Sequence, residues 1–403
     1  MPRKKILIFS LAYFPKHVGG AEISIKEITD RISDIEFHMV TNRYDSELPR
    51  IEKVGNVLVH RIGITTKNPT MNDLGKFPLH INKYLFQIMA VWKALQLHRK
   101  YEYDGIWAMM AHATGIPAAL FKWFHPAVPY ALTIQEGDPP EQIERTMRLA
   151  WPLFTRAFTS ADVVSVISTF LGVWARNRGF KGPLELIPNA ADTPHFSQKY
   201  PDVVINEMKD VLEKKMGDVF LITTSRLVHK NAVDDVIRAL AKLPANVRFL
   251  VLGSGPDEMK LKKLAGDLKV SDRVSFLGFI DHAEIPKYLQ ASDIFIRPSR
   301  SEGMGASFVE TFAAGIPVIA TQEGGLSDLI FDEKRNPGVP VTAWAVDKDA
   351  PDQIAGAVQN IMANPEKVRA VVATARQIAI DRFDWDLSAK AMREKVFARI
   401  LNG

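Results

Sequence analysis

The feature that most constrains this chain is an alternation. Short, continuous apolar runs take turns with longer amphipathic stretches, and the pattern starts afresh half-way along. Unbroken apolar runs of about four to eight residues suit strands buried on both faces, the condition of a parallel sheet covered by helices. In the first half, Ile6–Ser10, Phe37–Thr41, Val57–Ile62, Gly105–Met110, Tyr130–Ile134 and Val163–Ile167 predict strands, with helices over Ala21–Ile32 and residues 80–100. In the second half, Val219–Thr223, Arg248–Leu252, Val274–Leu277, Ile294–Arg297 and Val318–Ala320 predict strands, and Ala232–Leu243 a helix. The turn-rich stretch Ile187-Pro188-Asn189-Ala190-Ala191-Asp192-Thr193-Pro194 breaks the periodicity and marks the seam. The expected fold class is α/β, with two Rossmann-like domains over residues 1–194 and 195–383, and a helical segment over 384–403 able to return to the first domain. A length of 403 residues accommodates two such cores. Parallel sheets bind ligands beyond the carboxyl ends of their strands, so two sheets facing each other would place a cleft between them.

Composition narrows the chemistry. There is no cysteine, which excludes disulfides, thiolate catalysis and Cys-based zinc sites and fits a reducing cytoplasm. No apolar stretch approaches the ~20 residues that span a bilayer. Arg3, Lys4 and Lys5 ahead of Ile6–Phe14 superficially imitate a leader, but no convincing small-residue cleavage site follows, and the run is read as a buried strand. Residues 1–195 hold 23 Lys and Arg against 18 Asp and Glu, whereas the remainder holds 28 of each. All of the excess positive charge therefore lies in the first half. Ordinary solubility is one reading; a surface that meets anionic lipid or an acidic acceptor is the other.

Three strand-end segments in the second half could carry chemistry. Ser299–Thr321 reads as strand end, glycine loop, helix and strand. Gly303, Met304, Gly305 and Ala306 lie where backbone N–H groups at a helix start suit an anion. Glu302 before the loop and Glu310 within the helix could hydrogen-bond separate hydroxyl groups of one sugar-containing ligand; alternatively Glu302 caps a helix and Glu310 is a surface acid. After the strand Val219–Thr223 come Arg226, able to fork onto phosphate oxygens, and Lys230, a point charge; they could be two solvated bases on a loop, but their place at a strand's carboxyl end favours phosphate. The third is a glycine turn at Gly253. It is not a dinucleotide fingerprint, because Glu258 stands where the third glycine would be.

Taken together, these segments resemble the retaining glycosyltransferases of family 4, which have the GT-B fold. The resemblance covers nearly the whole chain and is strongest from about residue 187 to 330. The family's paired glutamates, separated by seven residues, match Glu302 and Glu310, and its donor-diphosphate Arg and Lys match Arg226 and Lys230. Its N-domain glycine motif matches Gly19 and Gly20 within Val18–Glu22, and its interdomain sequence matches Ile187–Asp192 and Phe196. Leu277-Gly278-Phe279 looks like the loop that meets the nucleotide base through its backbone, and Gly324-Gly325-Leu326 with Asp328 like the donor-side loop beyond the paired-glutamate helix. Two departures stand out. Gln135 occupies roughly the place of a family histidine near the donor sugar, and Asn231 that of a glycine after the lysine. Gln can hydrogen-bond a hydroxyl but cannot exchange a proton near neutral pH. Asn tolerates a left-handed backbone, so the loop is expected to survive. His112, at another strand end, is the other N-domain candidate, with a structural hydrogen bond as its alternative role.

No metal site is expected: the ten His are scattered, and Asp384-Trp385-Asp386 reads as a helix cap with a packing Trp. The resemblance implies transfer of a hexose-type residue from a nucleoside diphosphate sugar to an acceptor hydroxyl with retention at the anomeric carbon, with no cofactor beyond that donor. Glu310 would hold the ribose and Glu302 the sugar. Arg226, Lys230 and the amides near Gly19-Gly20 and Gly303–Ala306 would stabilise the departing diphosphate. The expected partners are the donor and a glycan or lipid-linked acceptor, with no nucleic acid. Residues 77–100 and Phe121–Phe124 mix aromatic and basic residues; the apolar ones could simply pack on the N-domain sheet with the lysines solvated, but the charge imbalance of the first half favours contact with an anionic membrane on its cytoplasmic side. A GT-B epimerase or phosphorylase, and a non-catalytic sugar-nucleotide-binding protein, are the competing classes.

Overall fold

A computed structural model describes residues 3–402. The chain forms two compact units. One comprises the residues up to Asn189 together with those from Trp385; the other is Ala190–Asp384. The boundary thus precedes the expected 194, because Ala191 already pairs with Asp384 and donates its N–H to Phe383 O at 3.0 Å.

The N-terminal unit carries eight strands: β1 (Lys4–Phe9), β2 (Ile35–Asn42), β3 (Ile51–Val54), β4 (Val57–Ile62), β5 (Gly105–Met109), β6 (Tyr130–Ile134), β7 (Val163–Val166) and β8 (Leu184–Leu186). Their order is β3-β4-β2-β1-β5-β6-β7-β8. Every pairing is parallel except β3 with β4. This antiparallel edge qualifies the all-parallel expectation. The central strands are buried on both faces, which is why they read as unbroken apolar runs. The C-terminal segment closes one face of this sheet. Met392, Val396, Phe397 and Ile400 join Ile6, Ile8, Phe37 and Trp107 in one core, and Phe397 meets Trp107 edge-on at 5.1 Å. Arg31, capping the C-terminal end of the helix Gly20–Asp30, reaches Asp386 at 2.6 Å, fastening the segment at its rim.

The second unit has six strands, all paired in parallel: β9 (Val219–Thr224), β10 (Val247–Leu252), β11 (Val274–Gly278), β12 (Ile294–Arg297), β13 (Val318–Ala320) and β14 (Trp344–Ala345), in the order β11-β10-β9-β12-β13-β14. Its core joins Leu221, Phe249, Ile296 and Ile319 to Val236 and Ile237 of the helix Val233–Leu240 and to Ile354 and Val358 of the helix Pro351–Ala363. The order reverses direction at β9, between β10 and β12, and the loops after these strands carry most of the residues singled out from sequence. An open parallel sheet leaves a crevice for ligands at such a reversal.

Candidate functional site

In the second unit the structure gathers the strand-end loops into one constellation. The loop after β9 lies against the turn after β10: Ser225 N–H donates to Leu252 O at 3.0 Å and Leu227 N–H to Ser254 O at 3.0 Å. Gly253 is required here. Its φ is +134°, and a Cβ would land on the Ser225 carbonyl. Gly253 N–H in turn donates to Gly278 O at 2.7 Å, which brings the β11 end alongside and leaves Phe279 exposed.

Arg226 is exposed, while its carbonyl accepts 2.6 Å from Asn231 Nδ2. Asn231 does not take the left-handed conformation expected of it. Ala232 does, at φ +54°, and Asn231 serves instead as the side-chain tie that shapes the Arg226 loop. Lys230 is held from the other side. Arg300 N–H donates to Lys230 O at 2.7 Å, and the Arg300 guanidinium donates to His229 O at 2.7 Å. The same guanidinium binds Asp234, Asp235 and Asp349 at 2.6–2.9 Å. Burial alone would lower its pKa, but these carboxylates outweigh burial and raise it. Arg300 therefore rivets the basic loop to the paired-glutamate loop. Sequence reasoning missed it, because its partners lie on three separate segments.

Glu302 pairs with Arg297, whose guanidinium also reaches Ser299 Oγ at 3.1 Å and Ser307 Oγ at 2.7 Å and lies over the Phe308 ring. The Glu302 carbonyl accepts from Gly325 N–H at 2.9 Å, so the Gly324–Asp328 turn is tied to the same point. Gly305, at φ +82°, opens the helix Ala306–Ala314, and Met304 is buried beneath the loop. The Gly303 amide is not open as expected: it donates to Glu302 Oε1 at 3.2 Å. Within the helix, Glu310 is nearly buried and accepts from His282 Nε2 at 2.9 Å. That bond is the first cause of a raised His282 pKa; burial opposes it, and Glu310, Asp192 and Asp281 add to it by charge.

The candidates of the N-terminal unit form a second group. Gly19 N–H, expected to be available to phosphate, donates instead to Glu22 Oε2 at 2.7 Å, and burial raises the Glu22 pKa. Gly20 begins the helix Gly20–Asp30. Gln135 is already engaged at both ends of its amide, donating to Ser24 Oγ at 2.9 Å and accepting from Asn189 Nδ2 at 3.1 Å. One hydrogen and one lone pair remain for a ligand. His112 Nδ1 lies 3.2 Å from Oε1 of Glu136, a buried residue that sequence reasoning did not select. Thr193 Oγ1 donates to Asp384 at 3.2 Å, and Asp386 meets Arg31. Among the described residues no group of three His, Asp or Glu side chains gathers as a metal-holding cluster.

Comparison with known proteins bears on these two groups. A family model described as Glycosyl transferases group 1 matches residues 204–378, and one described as Glycosyl transferase 4-like domain matches residues 26–190. The chain belongs to glycosyltransferase family 4. It is 30% identical over 256 residues to the GDP-mannose-dependent alpha-(1-6)-phosphatidylinositol monomannoside mannosyltransferase of Mycolicibacterium smegmatis, a match covering 60% of this chain and 64% of the relative. The matched region thus spans just under two thirds of that family member. The alpha-monoglucosyldiacylglycerol synthase of Acholeplasma laidlawii is 29% identical over 157 residues, 38% of this chain and 39% of the synthase. Among solved structures, sucrose-phosphate synthase of Thermosynechococcus elongatus superposes with a TM-score of 0.78 at 21% identity, covering 98% of this chain and 100% of that one. The Anabaena HepE protein in complex with UDP and glucose gives 0.76 at 21% identity, with 98% and 100% covered. The fold is GT-B, as the family resemblance implied.

Proposed function

We propose that this chain transfers a hexose-type residue from a nucleoside diphosphate sugar to a hydroxyl of a lipid-linked or cell-envelope glycan, with retention and without a metal ion. One observation carries the reading: the Arg226–Lys230 loop and the Glu302–Glu310 segment, the family's donor-binding elements, are riveted together by Arg300 in one unit. In this reading Arg226 and Lys230 meet the diphosphate, and Glu310 turns from His282 to the ribose. Glu302, steadied by Arg297, faces the sugar, and the turn at Gly253 and Gly278 meets the base. Cations and amides placed where charge develops are worth about 3–4 kcal/mol each in sites of this kind. The acceptor proton would pass to the departing phosphate.

The lipid-linked acceptor is supported by the relatives, two of which carry glycolipids in their names. A surface of the N-terminal unit supports it too. On the helix Asn82–Tyr101, Phe86, Ala90 and Leu97 pack inward, while Tyr84, Ile88 and Trp92 stand exposed at four-residue spacing along the opposite face. Trp123 and Phe124 are exposed as well, with Arg156 over the Trp123 ring at 5.0 Å. Exposed aromatic residues with flanking bases suit the interface of an anionic bilayer, here on its cytoplasmic side. Among the described residues no helix is long and apolar enough to cross a membrane.

The test is to incubate the protein with UDP-, GDP- and ADP-hexoses, with and without glycolipid acceptors, in excess EDTA. Acceptor-dependent release of nucleoside diphosphate, with the product's anomeric configuration unchanged by NMR, is expected. Release that requires a divalent ion, or an inverted product, would contradict the reading.

A further inference from the structure

At the carboxyl ends of β5 and β6, an imidazole and a carboxylate meet, and the roles given above to the second unit's residues leave this pair without one. Met110, directly after β5, has φ +71°, an uncommon conformation for a residue with a side chain. A single π-turn, Ala111–Gly115, follows it. Both features recur at functional sites. Together they turn His112 towards Glu136, whose side chain is only 1% exposed.

The Glu136 carboxylate is held at three points. His112 N–H reaches Oε1 at 3.3 Å, Gln135 N–H reaches Oε2 at 3.0 Å, and the His112 ring approaches Oε1 through Nδ1 at 3.2 Å. A carboxylate accepts and cannot donate, so the ring must present Nδ1–H to it. In a neutral imidazole the other nitrogen then carries a lone pair. Ring exposure of 31% leaves room for that lone pair to be used. Gln135, the residue expected near the sugar, is tied to Ser24 and Asn189 in the same unit.

We propose that Glu136 is a positioning residue that fixes His112 as the Nδ1–H tautomer, so that His112 Nε2 accepts a hydrogen bond from a hydroxyl of the bound sugar. The inference rests on the transfer reading for its ligand, but its first measurement does not. A carboxylate behind an imidazole sets the tautomer and ring orientation, and this arrangement fails when the tautomer is wrong. Buried Glu136 would otherwise be a costly placement of a charge in the core.

The experiment uses the full chain with ¹⁵N-labelled histidine, His112 being assigned by its absence from His112→Ala. In the free protein at pH 8, His112 should show protonated Nδ1 and unprotonated Nε2; the opposite tautomer would overturn the proposal, with no substrate involved. UDP-glucose or GDP-mannose is then added, followed by n-octyl α-mannoside as a glycolipid-like acceptor. A shift of Nε2 on adding the nucleotide sugar assigns the hydroxyl to the donor, and a shift only on adding the glycoside assigns it to the acceptor. If the nucleotide sugar binds and Nε2 moves with neither, the proposal is overturned. If no nucleotide sugar binds, the transfer reading fails instead, and the tautomer result stands on its own.

In turnover, Glu136→Ala should cost about tenfold in the wild type and nothing further in the His112→Ala background, because the carboxylate acts through the ring. Equal losses in both backgrounds would show a merely structural role. Glu136→Asp, which keeps the acceptor, should recover part of the activity.

Discussion

His282 Nε2 donates to Glu310 Oε1 across 2.9 Å, so the second of the paired glutamates has an imidazole partner within its own unit. Glu310 raises the His282 pKa above its ordinary value, with Asp192 and Asp281 adding to the effect against burial. The charged pair is therefore present at and below about pH 6.5 and is lost as pH rises through the elevated value. A donor that takes Glu310 for its ribose competes with protonated His282. Affinity for a nucleotide sugar should rise as pH rises above about 6.5, and His282→Ala should remove that dependence. Direct titration between pH 6 and 9 checks this; an unchanged slope in the variant would remove His282 from the site.

Arg300 holds two loops and three carboxylates. Of these, Asp235 is 4% exposed and has its pKa raised by burial and by the charge of Asp234. Removing one partner of a buried pair typically costs about 3–5 kcal/mol. Arg300→Ala should lower unfolding free energy on that order and weaken donor binding, because the carbonyl of His229 loses its tie and the Lys230 loop loosens. Urea unfolding and nucleotide titration of the same variant check both halves. A variant as stable as the wild type would mean that the rivet does not hold the loops.

His60 on β4 is buried beside His38, with neither ring nitrogen hydrogen-bonded among the described residues. Burial first, then the charges of His38, Lys93 and Lys100, push its pKa down to about 4. The unfolded chain takes up a proton at about pH 6.5, whereas the folded one does so only near 4. Stability should therefore fall as pH drops from about 6.5 towards 4, by on the order of 2–3 kcal/mol from this group. His60→Phe should flatten the decline, as read by unfolding midpoints at pH 7 and pH 5. An equal decline in both proteins would place the acid sensitivity elsewhere.

The exposed face of Tyr84, Ile88, Trp92, Trp123 and Phe124 should bring the protein down with anionic liposomes at low salt. Each basic residue near such a surface contributes about 1 kcal/mol. Replacing Lys83 and Lys93 with Glu should release the protein, and so should added salt. Wild-type protein left in the supernatant at low salt would favour a water-soluble acceptor.

Most of the fold is legible in the sequence because buried parallel strands are written as unbroken apolar runs. Tyr130–Ile134 and Ile294–Arg297 begin and end where the runs do. The edges are not legible. β3 reads Ile-Glu-Lys-Val, half of it charged, and β14 is two residues long, so neither carries a local signal apart from its neighbour. The candidate donor-site residues stand out because each follows a strand end, and the roles proposed for them come from the family resemblance. Arg300 and Glu136 do not, since the partners of each lie on different loops or strand ends; nor does Arg297, because at the end of an apolar strand run nothing marks its local partners Ser299, Glu302 and Ser307. Gly19 and Gly303 mislead for a related reason: a glycine amide reads as open, but nearby Glu22 and Glu302 fold back onto them.

In the proposed function the Arg226–Lys230 loop and the paired-glutamate segment form one diphosphate site that needs no metal. Calorimetric titration of GDP and UDP in excess EDTA, with wild type, Arg226→Ala and Lys230→Ala, tests it most directly. A charge-assisted hydrogen bond is worth about 1.5–3 kcal/mol, so each variant should bind at least about tenfold more weakly than wild type. Wild-type affinity in both variants, or binding that appears only when a divalent ion is restored, would contradict the claim.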